Sequence, residues 1–136
     1  MSLYSPHQTM IHLMVTMSAA DRTMTDNELS KIGDIVKSLP FFEGYDTENL
    51  IVDSRECSQI LQGTNGLGQV ITNVLDALPE DMHETIYALA VEVAAADLAV
   101  GQEELRLLQI LRDSLTVDKL VCAAIERGAR ARHRPL

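Results

Sequence analysis

Two stretches of this chain, about residues 10–39 and 86–115, repeat one another at an offset of 76 positions. Leu13, Val15, Ala19, Ala20, Asp21, Glu28, Leu29, Ser38 and Leu39 meet the same residue types at Leu89, Val91, Ala95, Ala96, Asp97, Glu104, Leu105, Ser114 and Leu115. Conservative pairs fill gaps between them, among them Met17 with Val93 and Ile32 with Leu108. Each copy reads as a helix, a short turn and a second helix. Two such copies predict pseudo-twofold packing of helical hairpins, whereas a solenoid needs a shorter period and more copies.

The rest of the chain is punctuated the same way, and strand signals are nearly absent. Ser5 before Pro6 is an N-cap with proline at the first helical position. Met10, Leu13, Met14 and Met17 then form one helical stripe. Thr25 with Glu28 has the capping-box pattern, and the stripe that follows, Leu29 to Leu39, is stopped by Pro40. Thr47 opens a third helix that ends near Gly63, and Leu67–Leu78 make a fourth. Pro79 starts the longest helix, apolar on nearly every side between Ile86 and Ala96 and therefore predicted to be central. A sixth helix from Gln102 turns Leu105, Leu108 and Leu111 inward, and Thr116 caps a seventh. The expected fold is all-α: a compact bundle of about seven helices built from the two hairpin repeats.

Length and charge bound what such a bundle does. At 136 residues the chain fits one domain with a core of its own. Residues 1–126 hold 7 basic and all 20 acidic residues, so this body is far more acidic than the net charge of -9 suggests. An acidic body repels phosphate backbones, which argues against nucleic acid as a partner. Arg127, Arg130, Arg132 and Arg134 reverse the sign at the end. The expected division is a helical domain over 1–127 and a flexible Arg-rich tail over 128–136, because Gly128 and Pro135 oppose helix. That tail reads as a solvated terminus or as a segment for an anionic partner.

Cys57 and Cys122 are isolated from each other and from any zinc-type spacing, which suits a reducing compartment. No basic-then-apolar leader pattern is present, and the most apolar stretch, Ile86 to Val100, is too short and too charged to span a bilayer. The expected location is the cytoplasm, without membrane insertion.

The repeat carries the chemistry. Each copy ends its first helix in Ala-Ala-Asp and places a Glu seven residues later, in the first turn of the next helix. Asp21 with Glu28, and Asp97 with Glu104, therefore stand at the two ends of an interhelical turn. If the copies pack about a pseudo-dyad, four carboxylates converge and suit a hard divalent cation. The competing reading is structural. Glu28 bonds back to its cap, first-turn acids complement the helix dipole, and Asp21 and Asp97 terminate helices. The twelve-residue loop and central glycine of an EF-hand are absent.

The repeated Ala-Ala-Asp, the apolar residue three later (Met24, Val100) and the Glu seven later resemble the tellurite-resistance TerB family. That resemblance implies a compact, all-helical, cytoplasmic domain with pseudo-symmetric halves. It also implies an acidic site at Asp21, Glu28, Asp97 and Glu104 for which metal binding has been proposed. The chain departs from the family pattern after each Asp, where Arg22 and Leu98 replace the usual glycine.

Other constellations read as structural. Glu92, the lone charge in the apolar helix, must be exposed, paired or protonated. His83 and Tyr87 share a face and are expected to form a surface pair, and His7 and His12 do not face one another. Asp26 and Glu103 are auxiliary candidates beside the motif acids. Among functions, the leading expectation is a non-enzymatic stress-response domain acting through protein partners, with a divalent cation as its one candidate cofactor. The alternative is a helical interaction or dimerisation module without a metal site, so a homodimer stays open. A carboxylate-metal hydrolase is a third class, weakened by the absence of an evident base or phosphate loop.

Overall fold

A computed structural model of the chain describes residues 3–19, 24–96 and 101–136. Its described residues form seven α-helices and no strand: α1 (Pro6–Ser18), α2 (Asp26–Ser38), α3 (Leu50–Gln62), α4 (Gly66–Ala77), α5 (His83–Ala96), α6 (Gln102–Ser114) and α7 (Lys119–Arg132). Single 3-10 turns at Pro40–Phe42, Thr47–Asn49 and Glu80–Met82 join or precede them. None of the helices is long and apolar enough to cross a membrane.

α1 and α5 form the centre. Ser5 and Gln8 close a reciprocal capping box at the start of α1, with Gln8 N donating to Ser5 Oγ at 3.1 Å and Ser5 N to Gln8 Oε1 at 2.9 Å. Every residue of α1 from Thr9 to Met17 is then buried, because α3, α4 and α5 all pack against it. A helix so enclosed must satisfy its polar side chains internally. Thr9 donates to Pro6 O at 2.9 Å and Thr16 to His12 O at 2.7 Å. α5 packs against α1, α6 and α7 and buries Ile86, Tyr87, Leu89, Ala90, Val91, Val93 and Ala94, as its all-round apolar character predicts.

The outer helices are amphipathic and each offers a narrow stripe to this centre. α2 buries Ile32, Gly33 and Val36, while α6 buries Leu107 and Leu111. The limits of these two helices differ by the same 76 positions that relate their sequences, Asp26–Ser38 against Gln102–Ser114.

Three expectations are corrected. Leu105 does not point inward: it is 54% exposed, and Leu107 takes the core position. Asp118 rather than Thr116 caps α7, accepting from Leu120 N at 2.8 Å. Helix is not lost at Arg127 either. α7 continues through Gly128 to Arg132, because Cys122 and Ala129 are buried where α7 packs on α5. That packing overrides a glycine cost of about 1 kcal/mol.

Candidate functional site

Of the four repeated acids, Asp21 and Asp97 lie outside the described residues. Glu28 and Glu104 are both half-buried in first helical turns. Glu28 forms the capping box its spacing predicts: its Oε1 accepts from Thr25 N at 2.9 Å and Thr25 Oγ1 at 3.0 Å. Glu28 N in turn donates to Thr25 Oγ1 at 3.2 Å. The second copy differs here. Gly101 caps α6 and has no side chain with which to form a reciprocal box, so Glu104 does not repeat that geometry.

The end of α5 comes close to the first copy's acid. A cavity of about 280 Å³ is lined by Ser18, Thr25, Glu28, Lys31 and Ile32 on one side and by Val93 and Ala96 on the other. Lys31 Nζ donates across it to Ala96 O at 3.4 Å, a cation at the carbonyl end of a helix. Glu28 and Ala96, the last residue of α5, thus face one cavity from opposite sides. The donor types at the two turns are all carboxylates, which suits a hard cation and not a soft one. Among the described residues, however, no three His, Cys, Asp or Glu side chains are grouped to hold a metal ion. Asp26 is exposed on α2, and Glu103, also exposed, lines a separate cavity beside Arg106.

A second polar cluster went unread in the sequence. His12 is 0% exposed, with its Nε2 3.3 Å from Glu56 Oε1 on α3. Beside it, buried Asp53 accepts from Tyr45 OH at 2.5 Å and Gln8 Nε2 at 3.2 Å. Cys57 Sγ donates to His12 O at 3.2 Å. Burial, reinforced by Glu56, pushes the Cys57 thiol up to about 11, so it stays protonated and is no nucleophile at neutral pH. The available signal was position: His12 follows Met10 and Ile11 and precedes Leu13 on a helix with no polar face.

Burial also holds His12 below the ordinary imidazole range, against the opposing pull of Glu56 and Asp53. His12 is thus kept neutral in the folded chain, while the unfolded chain takes up its proton near about pH 6.5. The stability this group contributes is complete above that pH and is lost as pH falls below it. Urea unfolding between about pH 7.5 and 5.5 should show a falling midpoint for the wild type and a flatter profile for His12→Gln. Identical profiles would contradict a neutral buried His12.

The expected surface pair on α5 is also corrected. His83 is 8% exposed and accepts from Thr116 N at 2.9 Å through Nδ1. Tyr87 is 0% exposed and donates to Glu126 at 2.5 Å, and Arg112 reaches the same carboxylate at 3.1 Å. Glu92 is ion-paired with Arg132 and His133 at the end of α7. Burial opposes its ionisation, but hydrogen bonds from His133 and Arg132 outweigh that and hold its carboxyl below the ordinary range.

The sequence pattern of one family, described as Tellurite resistance protein TerB, matches residues 7–127. The chain belongs to the TerB family. The match runs from the start of α1 into α7 and so includes both interhelical turns, the His12 cluster and the Tyr87–Glu126 contact. No curated protein and no solved structure matches the chain. Within this TerB domain, Glu28 is both one of the repeated acids and part of the cavity lining at the end of α5.

Proposed function

We propose that this TerB family member is a non-enzymatic, cytoplasmic stress-response domain of the tellurite-resistance type that acts through protein partners and holds a divalent cation at its paired turns. The observation that carries the reading is the family match over residues 7–127, which takes in both acidic turns. Asp21, Glu28, Asp97 and Glu104 would hold the cation, which would neutralise acids of two turns and tie them together. Glu28 and Ala96, the residue before Asp97 in the chain, line one cavity, and this supports the reading. Thermal melting tests the reading: adding Ca, Mg, Mn or Zn should raise the melting temperature of the wild type, because a ligand bound only by the folded state stabilises it.

One observation favours a second reading, a helical interaction module without a metal site. Glu28 Oε1 already accepts two hydrogen bonds from Thr25, which is a sufficient structural reason for that acid. Under this reading no divalent cation changes the melt.

A further inference from the structure

The end of α7 covers one side of an open groove of about 390 Å³ between α5 and α6. Val91 and Ala95 of α5 and Leu105 and Leu108 of α6 make its apolar lining, and Arg130 and Arg134 stand at its α7 edge. Leu105 is 54% exposed, an apolar side chain left in water on a helix that buries Leu107 instead. The acids beside the groove are already engaged. Glu126, which itself lines the groove, is held by Tyr87 and Arg112, and Glu92 by Arg132 and His133. Arg130 and Arg134 have no ion pair or side-chain hydrogen bond among the described residues. In a chain of net charge -9, two uncommitted guanidinium groups flank an apolar groove.

The first half of the chain supplies an internal control. A groove of about 500 Å³ there is lined by Val15, Ala19 and Leu29, the residues that stand 76 positions before Val91, Ala95 and Leu105. At the positions matching Arg130 and Arg134 that groove has Ser54 and Ser58, and its own cation, Arg55, is accompanied by Asp26. Packing a helix beside such a floor therefore does not require arginine. Helix-dipole stabilisation accounts for cations in the last turn of α7, but it does not account for an exposed Leu105 on α6 across the groove from them.

We propose that the groove between α5, α6 and the end of α7 receives an acidic amphipathic helix of a partner protein. Apolar anchors at helical spacing would fill the floor over Leu105 and Leu108, and Asp or Glu on the flanks would meet Arg130 and Arg134. This rests on the partner reading above and is independent of the cation.

The test titrates the full chain, isotope-labelled for NMR, with a synthetic peptide of about 16 residues carrying Leu at helical spacing and Glu elsewhere. Shifts should centre on Ala95, Leu105 and Arg130. Affinity should fall about tenfold or more in Arg130→Glu with Arg134→Glu and in Leu105→Asp. These side chains are exposed, so unchanged melts of the variants would show intact folding. The same peptide with Lys in place of Glu should bind far more weakly. Equal binding of the Lys peptide, or shifts centred on Val15 and Leu29, would overturn the proposal. So would binding of phosphatidylglycerol vesicles in place of the peptide, or self-association that these substitutions abolish, since each assigns the groove another occupant. A cellular partner captured equally by the wild type and the Arg130→Glu/Arg134→Glu variant would overturn the groove while leaving the partner reading intact.

Discussion

Ile86→Ala is expected to lower the unfolding free energy by about 2–5 kcal/mol, the range for deleting a buried aliphatic side chain whose site collapses only partly. Ile86 is 0% exposed on α5, a helix packed by α1, α6 and α7, so few neighbours are free to move into the space. In urea the midpoint should fall while the dependence on denaturant stays constant, because the same surface is exposed on unfolding. A loss well under 1 kcal/mol would contradict the central place given to α5.

Gly66→Ala tests a different constraint, the approach of one backbone to another. Gly66 opens α4 directly after the tight connection from α3, next to Asn65 in the left-handed region at φ 55°. A Cβ at position 66 would fall 2.6 Å from Ile60 O, 2.6 Å from Leu61 Cα and 2.8 Å from Leu61 C. All three are backbone atoms at the end of α3, so relief requires the two helices to separate. The expected cost is about 1–3 kcal/mol or more, read from the same urea titration. Gly33→Ala is the control: its Cβ would meet only Leu50 Cδ2 at 3.6 Å, an ordinary contact. In mid-helix that exchange should be neutral or stabilising by up to about 1 kcal/mol. Equal effects at the two positions would rule out the close approach as the cause.

The helices were legible in the sequence because their determinants are local. Ser5 with Gln8 and Thr25 with Glu28 close caps three residues apart, and Pro40 and Gly63 stop helices where they stand. What the sequence hid depends on partners distant along the chain. Tyr87 could be buried because Glu126, 39 residues away, accepts its hydroxyl, and no spacing within α5 announces that. His12 likewise depends on Glu56 and Asp53 of α3, and its isolated position on α1 showed only that it was no helical zinc ligand. Leu105 and Leu107 stand about 200° apart on α6, so both cannot face the core; the buried stripe runs through Leu107 and Leu111, one turn apart, and leaves Leu105 outside it. α7 outlasted Gly128 because tertiary packing at Ala129 and the ion pairs of Glu92 with Arg132 and His133 hold its last turn.

The acidic turns were legible as a repeated spacing, and Glu28 stands where that spacing places it. Its capping bonds give that carboxylate a structural role, and the cavity it shares with Val93 and Ala96 places it beside the described end of α5. Linkage separates a capping role from a cation site, since only a cation bound by the folded chain raises its stability.

The most direct measurement is thermal melting of the wild type beside the Asp21→Ala/Asp97→Ala variant, with and without Ca, Mg, Mn or Zn. A cation held across the two turns predicts a higher melting temperature for the wild type and none of that rise for the variant. A wild-type melt unchanged in every one of these metals would contradict it.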